Sequence, residues 1–299
     1  MVVLVTGANG QLGQAIQSVV GKYPSIDFVF CPSLELNITD KNNCETVFEK
    51  YKPNFCINAA AYTAVDKAES EPEKAYAINV TGAQNLAEVC KNHDTVLLHI
   101  STDFVFDAKF VDGIAYYDRE LRLPLKSEKG LTETDVPFPA GVYGLTKLQG
   151  EQAIESTWKK HFIIRTSWVY SQFANNFMKT MLRLASERDS LSVVSDQIGT
   201  PTNAVDLAEA LVKIIQTCQT EPVEVFGIYN FSNEGQCSWY DFAKEIFKVN
   251  NISINLQPTP TAAYPTPAKR PAYSVLDKSK IKEVFSVEIK DWKENIKKL

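Results

Sequence analysis

Tyr143 and Lys147 stand four residues apart in the run VYGLTKLQGE at 142–151. On a helix that spacing projects both side chains from one face. A phenol with a pKa of about 10 is a poor acid–base group at neutral pH, and an ammonium beside it stabilises the phenolate and moves its pKa toward the working range. Tyr143 can then give a proton to a carbonyl oxygen as a hydride arrives at the carbon. Tyr-x-x-x-Lys also arises by chance on surface helices, so its place in the chain decides what it means. The pair lies on the helix that follows His99-Ile100-Ser101-Thr102-Asp103, a strand end rich in hydroxyls. Thr102 is the candidate to hydrogen-bond and orient the carbonyl, with Ser101 as its competitor, and Asp103 beside them can hold sugar hydroxyls.

The elements that must position these groups are legible as alternation. Short β-branched runs at Val2–Thr6, Asp27–Cys31, Phe55–Asn58, Val96–Ser101 and Phe162–Thr166 read as strands, and Gln11–Gly21, Asp40–Tyr51, Pro72–Asn92 and Val142–Lys159 between them read as helices. That order predicts an α/β fold, a doubly wound parallel sheet of right-handed units whose ligand crevice lies beyond the strand C-terminal ends. Gly7-Ala8-Asn9-Gly10-Gln11-Leu12-Gly13 follows the first strand directly and opens the first helix. Its glycines permit the tight turn and close approach that a pyrophosphate needs, and the helix start at Gln11 and Leu12 supplies N–H donors and a favourable dipole. With a dinucleotide there, Lys147 gains a second task, holding the nicotinamide ribose hydroxyls.

Past residue 166 the pattern loosens into helices near Asn176–Arg188, Ala204–Thr217 and Ser238–Val249, with short strands at Leu191–Ser195 and Gly227–Phe231. The proline-rich stretch 256–274 reads as an extended surface segment. Residues 1–170 are therefore expected to form the dinucleotide-binding domain. Residues 171–299 should form mainly a smaller mixed α/β substrate lobe, with some segments returning to the first domain.

Composition narrows the classes of function. A chain of 299 residues with 44% hydrophobic content can bury an ordinary core without staples. A formal charge of −5 offers no basic stripe for nucleic acid. The six cysteines are dispersed without a CxxC pair, so neither a zinc site nor a redox motif is expected. No basic leader or long apolar run is present, which points to a soluble cytoplasmic protein with no membrane partner.

The adenosine end is less defined. Cys31-Pro32-Ser33 follows the second strand where such folds often carry an acidic residue for the ribose or an Arg for a 2′-phosphate. Ser33 can bond to either cofactor and Asn37-Ile38 can lie under the adenine, which leaves the choice of NADPH or NADH open, with a slight lean to NADPH. After the third strand, the small residues of Asn58-Ala59-Ala60-Ala61 let a ribose and phosphate pass close to the backbone. Asn79 can link to that loop or simply satisfy itself within its helix.

Taken together, GANGQLG at 7–13, NAAAYTAVDKAESEP at 58–72, STDFVFD at 101–107, VYGLTKLQGE at 142–151, RTSWVY at 165–170, DQIGTPT at 196–202 and TAAYPTPAKRP at 261–271 resemble the extended short-chain dehydrogenase/reductase family. Within it they are similar to the dTDP-4-dehydrorhamnose reductase branch. The resemblance covers nearly the whole chain. It implies a Rossmann-type sheet and NAD(P)H-dependent reduction of the C4 keto group of dTDP-4-dehydro-β-L-rhamnose, supplying dTDP-β-L-rhamnose for surface polysaccharide. It implies further that Gly10, Gln11 and Leu12 meet the dinucleotide, that Ala61, Tyr62 and Thr63 line it, and that Tyr143 with Lys147 serve catalysis and nicotinamide binding. Thr102, Asp103 and Trp168 would face the sugar nucleotide, although Trp168 alone reads as a core or stacking aromatic.

Lys269-Arg270 provides the cations a diphosphate requires, and Asn175-Asn176 and Gln197 can add neutral hydrogen bonds. The segment from Ala108 to Gly130 is longer than the corresponding family link, and its aromatic and charged mixture suggests a lid or a subunit contact, compatible with a homodimer. Two other classes share the fold: a non-catalytic NADP-binding regulatory subunit, which intact Tyr143 and Lys147 argue against, and an epimerase or dehydratase acting on another nucleotide sugar.

Overall fold

The computed structural model describes residues 1–107, 109–111, 114–116, 129–220 and 225–296. The expected α/β doubly wound sheet is present. Its six strands are all parallel and are numbered along the chain as β1 (Val2–Thr6), β2 (Asp27–Cys31), β3 (Phe55–Asn58), β4 (Val96–Thr102), β5 (His161–Thr166) and β6 (Gly227–Asn230), lying side by side in the order β6-β5-β4-β3-β1-β2. The order reverses between β1 and β3, so the crevice opens above the C-terminal ends of those two strands.

Helices cover both faces because each carries one apolar stripe. In α1 (Gln11–Val19) the buried residues Leu12, Ala15, Ile16 and Val19 recur at helical spacing, and each large one contributes about 2 kcal/mol on leaving water. They share a core with α5 (Ala204–Thr220) and α7 (Ser279–Phe285) on one side of the sheet. The other face is covered by α2 (Lys41–Tyr51), α3 (Gly82–Asn92) and α4 (Val142–Thr157), which pack with Leu4, Cys56, Leu97 and Ile163. Asp40 starts α2 by accepting from Asn42 and Asn43 backbone N–H groups.

Three elements from beyond residue 171 therefore belong to the main sheet: β6 pairs with β5, and α5 and α7 pack on the same face. The remaining lobe has its own core, in which α6 (Trp239–Val249) packs against Tyr170, Met178, Leu191, Val193 and Trp292. In this lobe Asn255–Thr259 pairs in parallel with Ser190–Val194, so the start of the proline-rich stretch is an edge strand with Pro258 in it.

The continuous helix expected over Pro72–Asn92 is interrupted. A helix at Pro72–Tyr76 passes into a π-turn at Ala77–Thr81 before α3 resumes. The wider turn presents Asn79, whose Oδ1 accepts from the Tyr62 backbone N–H at 2.9 Å while Nδ2 donates to Tyr62 O and to Thr146 Oγ1. Most of the Ala108–Gly130 segment, for which a lid or subunit contact is expected, lies outside the described residues; Lys109–Val111 and Ile114–Tyr116 pair as a short antiparallel ladder.

Candidate active site

The inner face of α4 carries Tyr143, Lys147 and Glu151 at successive i, i+4 positions, laid over β4 and β5. Glu151 fixes the helix. Its carboxylate receives Arg165 Nε at 3.0 Å and Nη2 at 2.7 Å from β5, and Ser101 Oγ donates to it at 2.5 Å from β4. That bond separates the two candidate hydroxyls of the strand end, because adjacent strand residues point to opposite faces. Ser101 is held by Glu151, whereas Thr102 Oγ1 accepts from the Phe104 N–H, donates to Asp103 Oδ1 at 3.1 Å and lies close enough to the Tyr143 phenol to act on its pKa.

Lys147 is almost wholly buried, with its Nζ 2.7 Å from the Ile100 carbonyl oxygen and 3.1 Å from His99 Nε2. Burial lowers its pKa to about 8 against the opposing pull of Glu151. The expectation that Lys147 would draw the phenol pKa down needs correction. Desolvation dominates at Tyr143 and pushes it up to about 12, with the Thr102 hydroxyl opposing and the Asp103 charge adding to the rise. Tyr143 is therefore kept protonated across the neutral range, the form a proton donor needs, and its ring packs edge-on against Phe104. Burial also raises the Asp103 carboxyl to about 6, with the hydroxyls of Ser274 and Thr102 opposing the rise.

The glycine turn is shaped for close approach. Gly7 adopts φ +62, and a Cβ there would stand 2.8 Å from Ala60 N; at Gly13 it would stand 2.5 Å from the Gly7 carbonyl oxygen. Gly10 begins α1 without a side-chain cap, leaving the N–H groups of Gln11, Leu12 and Gly13 facing the mouth. A pyrophosphate fits that cradle. The Gln11 side chain is engaged elsewhere, donating to Val169 O at 3.0 Å and accepting from Asn176 and Ser171, so its backbone is what remains for a ligand.

Other expected cofactor residues take structural positions as well. Asn37 closes a turn by accepting from Thr39, Ile38 is buried against Gly82, and Tyr62 is buried with its hydroxyl donating to Glu71. Ala61 is half-buried and Thr63 exposed at the crevice side of this loop.

On the substrate side, the residues fall into two groups. Thr102 and Asp103 lie near enough to Tyr143 to act on its pKa, while Trp168, Asn176 and Arg270 come from separate segments. Trp168, at φ +47, stacks on Trp239 with ring centroids 3.6 Å apart, and both indoles pack, partly buried, against the core of the second lobe, so it is a stacking and a core aromatic at once. Asn176 caps the helix Phe177–Glu187 and binds Gln11, so its amide is already committed. Arg270 forms a fork with Asp66, 3.0 and 2.8 Å, and Lys269 reaches Asp107 at 3.0 Å. Gln197 donates to Thr261 Oγ1.

Four residues of this network escape the sequence analysis: Asn58, His99, Glu151 and Arg165. The signal for Glu151 was available, since it continues the Tyr143–Lys147 spacing by one more helical step. For Asn58 and His99 it lies in strand register, which places Thr6 opposite Asn58 and Asn58 opposite His99.

A doubly wound sheet with an uncapped glycine turn at its switch point and a threonine–tyrosine–lysine group over the fourth strand defines a Rossmann-type, nicotinamide-dependent reductase. Comparison with known proteins narrows the class. The chain matches the family described as RmlD substrate binding domain over residues 1–299, and it belongs to that family. It is 42% identical over 305 residues to a dTDP-4-dehydrorhamnose reductase of Aggregatibacter actinomycetemcomitans, covering 99% of this chain and 97% of the relative. A solved structure of dTDP-4-dehydrorhamnose reductase from Bacillus anthracis in complex with NADP superposes with a TM-score of 0.87 at 37% identity, covering 99% of this chain and 96% of that one. A UDP-glucose 4-epimerase from Thermus thermophilus, 20% identical with a TM-score of 0.76 over 99% of this chain and 96% of that one, shares the fold.

Proposed function

We propose that the protein reduces the C4 keto group of dTDP-4-dehydro-β-L-rhamnose with NADPH, giving dTDP-β-L-rhamnose. The observation that carries this reading is the enclosed Thr102–Tyr143–Lys147 group beside the glycine cradle, in a chain 42% identical to a reductase of that name. The backbone of Gly10, Gln11, Leu12 and Gly13 would hold the cofactor pyrophosphate, with Ala61, Tyr62 and Thr63 lining its path. NADPH, when bound, supplies the hydride that C4 receives.

The protein's own residues supply the rest. Thr102 orients the C4 oxygen. Tyr143 gives that oxygen its proton as charge develops there, an alkoxide being more basic than a phenolate. Lys147, with two contacts made inward, has a third N–H for the ribose hydroxyls. Asp103 and Trp168 meet the sugar nucleotide, and Arg270 takes the diphosphate when it leaves Asp66. The described residues include no helix long and apolar enough to cross a membrane; a cytoplasmic enzyme that can pair as a homodimer is part of the proposal.

Purified protein mixed with NADPH or NADH and dTDP-4-dehydro-L-rhamnose should consume the reduced cofactor, followed by its near-ultraviolet absorbance. No turnover with either cofactor refutes the assignment. Tyr143→Phe should lower kcat by about 100-fold or more with unchanged cofactor binding; full activity in that variant removes Tyr143 as the donor.

A further inference from the structure

His99 sits between two polar groups at the heart of the sheet, 1% exposed. Nε2 is 3.1 Å from Lys147 Nζ, and Nδ1 is 2.9 Å from the Asn58 side-chain amide. Asn58 continues the row, its other amide atom 2.7 Å from Thr6 Oγ1 and 3.2 Å from Ala60 N. The four side chains come from β1, β3, β4 and α4, and strand register keeps the first three side by side. We propose that His99 is a positioning residue for Lys147, fixing its Nζ over the end of β4 and changing ring tautomer when the lysine gains or loses its proton.

The argument is one of donors and acceptors. An ammonium carries only donors, so a charged Lys147 requires a lone pair at His99 Nε2 and thus a proton on Nδ1. That N–H must meet the Asn58 oxygen, which turns the Asn58 amide NH2 toward Thr6 Oγ1 and leaves the Ala60 N–H to donate to Thr6 Oγ1 alone, at 3.2 Å. A neutral amine offers one lone pair and reverses the row. Nε2–H then donates to Nζ, the Asn58 NH2 donates to Nδ1, and the Asn58 oxygen accepts from Thr6 Oγ1 and the Ala60 N–H. In both states Lys147 still donates to the Ile100 oxygen at 2.7 Å. The row thus holds the lysine in one place whatever its charge.

The surroundings keep His99 itself neutral. Burial holds its pKa well below the ordinary value, with Lys147 and His161 of β5 adding to the effect. Around the row, Glu151 on α4 favours the charged lysine and is itself paired with Arg165 of β5; Tyr143 and Asp103 lie at the crevice end, and β3 brings no carboxylate or cation. The proton that moves is therefore the one on Lys147, near pH 8.

This inference rests on the reductase reading for its catalytic meaning, but its test does not. Nitrogen-15 NMR of the imidazoles in the full chain, which has three histidines, reports tautomer directly. The His99 signals should show the Nδ1–H form at pH 6.5 and convert to Nε2–H with a midpoint near 8, and the conversion should vanish in Lys147→Met. A His99 tautomer that stays constant across this range, or one that still converts in Lys147→Met, overturns the proposal.

In the turnover assay, His99→Phe should move the alkaline limb of kcat down by about one pH unit, the equivalent of one hydrogen bond to the ammonium, with KM for the sugar within about twofold. His99→Gln, whose carboxamide can present oxygen or NH2 to Nζ, should restore the limb to within about half a unit. An unmoved limb in His99→Phe also counts against the proposal. Absent turnover in the wild-type protein would refute the reductase reading while leaving the NMR result to stand on its own.

Discussion

Two arginine–carboxylate forks, one side-on through Nε and Nη2 and one end-on through Nη1 and Nη2, occupy opposite depths of the molecule. Arg165 grips Glu151 beneath the catalytic helix with side chains 2% and 1% exposed, while Arg270 grips Asp66 across the crevice with 26% and 41% exposed. The buried fork joins α4 to β5, and removing either partner strands a charge where water cannot reach it. Even intact it is not fully matched: among the described residues Arg165 Nη1 has no hydrogen-bond partner, and the guanidinium carbon lies 5.1 Å from the Phe106 ring centroid. The outer fork joins the loop after β3 to the C-terminal segment, and water can replace either partner at little cost. The same chemistry therefore serves as a fixed strut in one place and as a releasable clasp in the other.

The comparison breaks most readily at its buried end. Glu151→Gln keeps the shape and removes the charge, and urea unfolding should show a loss of about 3 kcal/mol or more. A loss below about 1 kcal/mol would place this fork in the same class as the outer one. At the outer end the readout moves from stability to binding. Arg270→Ala should raise KM for the dTDP-sugar about tenfold, the worth of one charge-assisted hydrogen bond, with unfolding changed by less than about 1 kcal/mol. An unaltered KM would show that Arg270 is no diphosphate ligand.

The smallest effect should come from Asp66→Asn, and its direction is the sharper test. If Asp66 competes with the diphosphate for Arg270, neutralising it should lower KM by a few fold, opposite to the arginine variant. Its stability effect should also depend on pH. The Arg270 hydrogen bond holds the Asp66 carboxyl below its ordinary 3.8, so whatever stability the fork adds is present above that value and disappears as pH falls through the lower folded one. Wild type and Asp66→Asn should thus converge in acid, and the gap at neutral pH should shrink with added salt because both groups are partly open to water. Divergence in acid would contradict the pairing.

Much of this arrangement is written locally in the chain. The strands Val2–Thr6 and Phe55–Asn58 coincide with their apolar runs because a central parallel strand covered on both faces must be largely apolar, and Asp27–Cys31, at the sheet edge, is legible from its Phe-Val-Phe centre. Tyr143 and Lys147 were recognisable since their spacing needs only a helix. What escaped depends on distant partners. The π-turn at Ala77–Thr81 goes with Asn79 bonding to Tyr62, seventeen residues away in sequence, which no periodicity within 72–92 reveals. Gly227–Asn230 reads as a strand from its own residues, but its place beside β5 is a matter of topology. Arg270 stood out as a candidate phosphate ligand by type, while its partner Asp66, about two hundred residues earlier, was visible only in the fold.

The stacked indoles of Trp168 and Trp239 join the strand end after β5 to the first residue of α6 in the second lobe. At 3.6 Å and 10° from parallel, two such chromophores do not absorb independently; their transitions couple, and the coupling enters ultraviolet circular dichroism as a signal of the pair in proportion to the twist between their in-plane axes. The molecule thus carries an intrinsic optical gauge of how its second lobe is seated. Any rearrangement that parts the rings diminishes that paired signal without a label having been added.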